Sequence, residues 1–171
     1  MSDYRAAPVA KEVGGMTRTA IMEYLDRSGV PYLVKAHQRP VFTSQDAARE
    51  RGVRLSQIVK TMLLKSPEGR VLVAVLPGHR RLDLKKLKKC TGHKNLEFMD
   101  GDSIRTALGL VVGAIAPVGD LARRFPVFVD AGVFDEEHVD ISSGDPTAGL
   151  ELASRDLRRL LAGAAVADLA R

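Results

Sequence analysis

The chain has 171 residues, 45% of them hydrophobic and 27% charged, with a net charge of +5. That length suits one domain with a substantial core, and the composition excludes a disordered chain. A single cysteine, Cys90, excludes an intrachain disulfide, and no apolar run nears the roughly 18 residues needed to span a bilayer.

Residues 1–16 read as a loose leader. The stretch carries acidic residues and lacks the apolar region of a signal peptide, so a cytoplasmic protein is expected. From Thr17, the spacing of Ile21, Tyr24 and Leu25 predicts a helix with Thr17 as N-cap and Gly29 as its stop. "PYLVKAH" reads as a strand, and "TSQDAARERG" as a short helix with a Thr/Ser cap and a terminal glycine. "QIVKTMLLK" and "RVLVAVLP" read as strands joined by the turn "SPEG", hence a hairpin. Asp83 caps a lysine-rich helix whose inward face holds Leu84 and Leu87, and the same spacing places Cys90 in the core. "NLEFMD" is a candidate strand and "DSIRTAL" a short helix. "LVVGAIAPVG" reads as an apolar strand broken by glycines and ended by Pro117. "FPVFVDAG" and "HVDISSG" read as strands, and "LELASRDL" begins as a strand and passes into a closing helix from Ser154. No repeat or linker marks a second domain. Residues 17–171 are therefore expected to form one α/β (α+β) domain with a mixed sheet.

Nucleophile elbows, phosphate-binding glycine loops and zinc-type ligand spacing are missing from the sequence, which predicts neither a serine or cysteine hydrolase nor a metal site, and no cofactor is called for. Three short pieces remain. Lys60 interrupts an apolar strand, sharing a face with Ile58, Met62 and Leu64. Pointing outward it is a solvated lysine, the simpler reading; pointing inward it costs free energy unless an anion offsets it. In "GAIAP", Gly113 to Pro117, small residues allow a ligand close to the backbone. "SSGD", Ser142 to Asp145, puts hydroxyls and a carboxylate at a strand end. Between these lies the basic excess: His79–Lys94 holds seven Lys and Arg against one Asp, a net +6. Such a cluster suits a polyphosphate partner, and equally a solvated helix face.

Taken in order, "SQIVKTMLL", "VAVLPGHRRLDLKKL", "GAIAPVG", "PVFVD" and "SSGD…LELASRDL" make the chain resemble the YbaK family, editing domains related to the insertion domain of bacterial prolyl-tRNA synthetase. The resemblance covers most of the chain from Thr17. It implies a compact, mostly antiparallel mixed sheet or barrel-like core flanked by helices, and hydrolysis of mischarged aminoacyl-tRNA. The substrate implied is tRNA(Pro) or a related tRNA carrying a small wrong amino acid. The family's lysine falls on Lys60 and its G-x-x-x-P loop on Gly113 and Pro117, which makes Lys60 and Gly113 the catalytic candidates. Thr61, Ala114, Pro117, Ser143, Gly144 and Asp145 are then substrate-binding candidates. Arg80, Arg81, Lys85, Lys86, Lys88 and Lys89 are candidates for holding tRNA. The implied partners are aminoacyl-tRNA and an aminoacyl-tRNA synthetase, with no membrane. "SSGDPTAGLEL" departs from the cysteinyl-tRNA(Pro) branch, leaving alanine, serine, threonine and cysteine open. A nucleic-acid-binding or synthetase-associated module without catalysis is the alternative.

Overall fold

The computed structural model describes residues 12–13 and 16–171. Residues 1–11 and 14–15 of the expected leader lie outside the described residues. Two short strands, β1 (Glu12–Val13) and β2 (Met16–Thr17), pair antiparallel and lead into α1 (Ala20–Arg27). The cap of α1 is Thr19 rather than Thr17. Its hydroxyl accepts from the Met22 N–H at 3.2 Å and donates to the Ser143 carbonyl at 2.5 Å, so a distant contact selects which threonine caps.

β3 (Leu33–Ala36) is followed by α2 (Ser44–Arg51), capped by Thr43, and a 3-10 turn over Leu55–Gln57. β4 (Val59–Lys65) and β5 (Val71–Pro77) form the expected hairpin, in register from Val59↔Pro77 to Lys65↔Val71. In α3 (Leu84–Thr91) the Asp83 carboxylate accepts from the N–H groups of Lys85 and Lys86 at 2.9 and 3.3 Å. β6 (Glu97–Phe98), α4 (Gly101–Leu108), α5 (Asp120–Arg124), β7 (Val127–Asp130), β8 (His138–Ser142), β9 (Ala148–Ala153), α6 (Ser154–Leu160) and β10 (Ala165–Ala167) complete the order.

One sheet runs β10-β7-β5-β4-β6, with parallel pairs at β10-β7 and β7-β5 and antiparallel pairs elsewhere. The second, β3-β9-β8, is wholly antiparallel. The main core joins α1 (Met22, Leu25) to both sheets (Val59, Leu63, Val75, Val129, Ile141, Leu150) and α6 (Leu157). A second cluster covers the opposite face of the hairpin with Leu64, Leu72, Leu76, Leu87 and Leu169. Burial on both faces explains why "RVLVAVLP" is apolar without alternation. No helix among the described residues is long and apolar enough to cross a membrane.

Three expectations are corrected. Residues 110–119 form an irregular crossing rather than a strand. Gly113 and Gly119 have φ of 88° and 76° and Pro117 has no N–H to donate, so a regular ladder cannot run through them. The closing helix stops at Leu160, and the chain returns to the sheet as β10. There the buried Asp130 carboxylate accepts from the N–H groups of Leu169 and Ala170 at 2.8 and 3.0 Å. Cys90 is exposed. Leu84, Leu87 and Thr91 centre the inward face of α3, and Cys90 falls about a quarter-turn away from it.

A buried ion pair joins the two halves. Arg51, at the end of α2, donates to Asp140 of β8 at 2.6 Å, with side-chain exposures of 3% and 0%. Asp140 also forms the isolated bridge to Ile58 where the two sheets meet. Gly149 on the neighbouring strand leaves the room this pair needs, since a Cβ there would lie 2.5 Å from both the guanidinium and the carboxylate. Burial raises the Asp140 carboxyl above the ordinary range, with Arg51 pulling it back. Asp140→Ala, which strands the guanidinium, should cost about 3–5 kcal/mol in urea unfolding, and Arg51→Met with Asp140→Val should recover most of it. Equal losses in the single and double variants would show that the pair's geometry, not its charge, holds the seam.

Candidate functional site

Sheet edges direct attention to β4. Its inner edge pairs along its whole length with β5, but β6 covers only Leu64 and Lys65 on the other side. The Leu63 carbonyl accepts from Met99 on that outer side, whereas the Ile58 carbonyl accepts from Gly78 beside β5. Alternation along a strand then points the Thr61 N–H and C=O outward, onto a stretch of edge that no strand among the described residues pairs, between the Ile58–Asp140 bridge and β6. A cleft of about 230 Å³ lies along it. Lys60 and Thr61 from β4, Phe42 to Ser44 before and at the start of α2, Gly113 from the crossing loop, Arg51 and Ser142 line it.

Lys60 lies half-buried there. Its ammonium donates to the main-chain carbonyls of Arg80 and, at 3.5 Å, Gly78. Among the described residues it makes no ion pair with a carboxylate. Burial, and secondarily the Arg81 charge, lower its pKa below that of ordinary lysine. Thr61 is less satisfied still, for its buried hydroxyl has no hydrogen-bond partner among the described residues. Native proteins rarely leave such a group unpaired except where a ligand or water completes it. The Ser142 hydroxyl accepts from the Gly144 N–H at 3.2 Å, and its own proton has no partner in the protein.

Gly113 faces this cleft, but the space where a side chain would project is filled by protein. A Cβ there would sit 2.6 Å from the Val41 carbonyl and 3.0 Å from the Phe42 Cα. The residue is glycine so that the 41–42 segment can lie against it. Its N–H has no partner among the described residues, while the Ala114 N–H is bonded to the Val111 carbonyl at 2.9 Å.

The other sequence candidates divide. Ala114 and Gly144 face a separate apolar cavity of about 360 Å³, lined also by Ile21, Tyr24 and Leu121, on the far side of the crossing loop. Ile115 lines both spaces and is the wall between them. Pro117 is buried in that loop. Ser143 is buried, and its hydroxyl lies within reach of the Asp145 and Ala148 carbonyls while accepting from the Asp145 N–H. Asp145 accepts from the N–H and hydroxyl of Thr147, bonds that hold its pKa below the usual carboxylate range. Both side chains are thus committed to the β8–β9 turn. Arg80 and Arg81 adjoin Lys60, and Lys85, Lys88 and Lys89 project along α3 without an ion pair. Lys86 is engaged by Asp168 at 2.8 Å and the Ala170 carbonyl at 2.7 Å.

Arg51 and Phe42 were not picked out by sequence pattern, whereas Ser142 belongs to the "SSGD" stretch that was. An arginine in "AARERG" reads as helix surface, and only the fold brings Asp140 to it.

The sequence profile of the aminoacyl-tRNA editing domain matches residues 38–160. The chain is 26% identical over 148 residues to an Enterococcus faecalis protein named "Putative Cys-tRNA(Pro)/Cys-tRNA(Cys) deacylase EbsC", covering 85% of this chain and 90% of that one. It is 35% identical over 97 residues to the proline–tRNA ligase of Thermosipho melanesiensis, matching 57% of this chain but only 17% of that enzyme. The crystal structure of a "putative trans-editing enzyme for prolyl tRNA synthetase" superposes with a TM-score of 0.70 at 27% identity, over 82% of this chain and 87% of the other. The chain belongs to the aminoacyl-tRNA editing domain family, and its activity class is that of an aminoacyl-tRNA deacylase.

Gly113→Val should therefore act on the fold. With overpacking and the positive φ combined, a loss of about 1–3 kcal/mol or more in thermal unfolding is expected, with Ala-, Ser- and Thr-charged tRNA hydrolysed more slowly in parallel. A stable variant with altered amino-acid preference would instead place the amino acid against Gly113.

Proposed function

We propose that the cleft beside β4 hydrolyses the ester of a mischarged tRNA, tRNA(Pro) or a related tRNA, carrying a small wrong amino acid. The observation that carries this is that three residues line one space of about 230 Å³: Lys60, whose partners among the described residues are main-chain carbonyls, Thr61, whose buried hydroxyl has no partner among them, and Gly113, whose N–H has none among them either. A space of that size has to take the ester and part of the ribose, which leaves room for a side chain of only a few heavy atoms. The proline-enzyme relatives favour tRNA(Pro).

An aminoacyl ester is already activated, so positioning and stabilisation of the developing oxyanion supply most of the catalysis. Lys60 anchors the 3′-terminal phosphate or ribose, and that anion offsets the cost of its burial. The Gly113 N–H and the Thr61 N–H on the open edge donate to the carbonyl oxygen as it gains charge. The Thr61 hydroxyl holds the attacking water or the ribose. The neighbouring ribose hydroxyl of the tRNA assists the water, since the cleft lining offers no obvious general base. Selection by size is needed because a synthetase pocket separates amino acids differing by one methylene by only ~1–3 kcal/mol. The basic run that starts at Arg80 continues from Lys60 along α3 and holds phosphates without reading sequence.

Lys60→Ala should lower kcat/KM on mischarged tRNA by about 10- to 150-fold, the equivalent of the ~1.5–3 kcal/mol of a charge-assisted bond. Loss of its carbonyl contacts should cost only about 1 kcal/mol of stability. Because the Lys60 pKa is lowered, its charge is lost at a pH below that of free lysine. Substrate affinity should fall as pH rises through that value, and Lys60→Arg should remove this alkaline limb. A wild-type rate in Lys60→Ala would overturn the assignment.

Replacing Lys85, Lys88 and Lys89 by glutamine should weaken tRNA binding and reduce the salt slope by up to about 2–3 in log–log units. Binding of a short aminoacylated oligonucleotide should change little. An unchanged slope with full-length tRNA would make α3 a solvated face.

A further inference from the structure

The most exposed apolar side chains of the described residues include Phe42 (57%), Val111 (48%) and Val112 (42%); Phe42 and Val112 lie at the mouth of the Lys60 cleft, and Val111 joins them in the adjoining depression. Phe42 and Val112 line both that cleft and a shallower depression beside the start of α4. Their placement is fixed from below. The missing Cβ of Gly113 admits the Phe42 backbone, and the ring's Cδ1 would lie 3.2 Å from that Cβ position. A large aromatic ring is thus held in water on a tight backbone support.

We infer that Phe42, backed by Val112, is the stacking platform for the terminal nucleobase of the tRNA. This rests on the reading of the cleft as the deacylation site. The aminoacyl ester and the base are attached to the same ribose, so an ester beside Lys60 and Gly113 puts the base one sugar's width from the cleft mouth. Every base has a π-face, and an exposed aromatic ring is the surface that single-stranded ends use. Charge sets the direction of the strand. The depression beyond Phe42 is rimmed by Asp100 and Asp102, with Arg105 paired to Asp102. That acidic rim repels a phosphate. The basic run enters the cleft through Lys60 and its Arg80 carbonyl partner. The backbone therefore leaves along Arg80, Arg81 and α3, and the base on Phe42 is the last of its strand.

The test uses a short uncharged oligonucleotide ending in CC-2-aminopurine, whose fluorescence is quenched by stacking, titrated into the full chain. Wild-type protein should bind and quench it. Phe42→Ala should raise Kd by about 5- to 150-fold, the equivalent of one base–aromatic stack of ~1–3 kcal/mol, and abolish quenching. Phe42→Leu, which keeps apolar bulk, should resemble Phe42→Ala, and Phe42→Tyr should resemble wild type. Melting temperatures of all three exclude loss of fold as the cause. Absence of binding by wild type, or Kd and quenching in Phe42→Ala or Phe42→Leu equal to those of wild type, overturns the platform. So does a change in sedimentation of Phe42→Ala with unchanged oligonucleotide affinity, which would make the patch a contact between copies of the chain. Deacylation of mischarged tRNA by the wild type is read separately, so a failed platform and a failed active-site assignment give different results.

Discussion

A guanidinium and a carboxylate out of reach of water hold the molecule's two sheets in register. Arg51 and Asp140 meet where β4 leaves its 3-10 turn, where β8 bridges to Ile58, and where α2 ends. Desolvating such a pair is costly, and the gain over an apolar core is small or negative. Its effect is on placement. Because α2 is tied to β8 at its C-terminal end, the Thr43–Ser44 end lies against the cleft, and the outer edge of β4 stays open between them. The absence of a side chain at Gly149 is the steric condition for this arrangement.

The cleft is built from incomplete groups. Among the described residues, a lysine partnered by carbonyls alone, a buried threonine hydroxyl with no partner, a glycine N–H without one and a stretch of unpaired strand edge each carry a free-energy penalty in isolation. Such penalties are tolerable where a ligand removes them, and together they describe its complement: an anion, a hydroxyl and a carbonyl oxygen close to one another. A phosphoribosyl ester has all three. The same incompleteness gives selectivity, since a molecule lacking one of these features leaves a buried group unpaired.

Local chemistry was legible in the sequence where it decided the structure. The four-residue turn "SPEG" set the β4–β5 register, Asp83 capped α3, and Thr43 and Gly52 bounded α2. Lys60 stood out as a charge in an apolar strand, and its partners among the described residues are main-chain carbonyls. Other positions were settled by distant residues. Thr19 displaced Thr17 as cap because Ser143 lies beside it. The "GAIAP" run looked like a strand by apolarity, but its glycine dihedrals and proline forbid a ladder. Ser143 and Asp145 have the chemistry of a site and the hydrogen bonding of a turn. Phe42 gave no signal, because an exposed aromatic and a core aromatic read alike in a sequence.

The carboxylate of Asp130, clasping the amides of Leu169 and Ala170, also sets an order in time. As the chain emerges during synthesis, β4 and β5 can pair as soon as their short turn is made, since local contacts close fast. The hydrophobic cluster under α3 has no such independence. Leu169 and Ala170 are among its most buried members, and Lys86 is tethered to the same segment. Until those residues appear, about eighty positions after α3, the leucines of the hairpin's outer face remain open to water and to other chains. A nascent protein of this kind depends for that interval on whatever shields apolar surface near the ribosome.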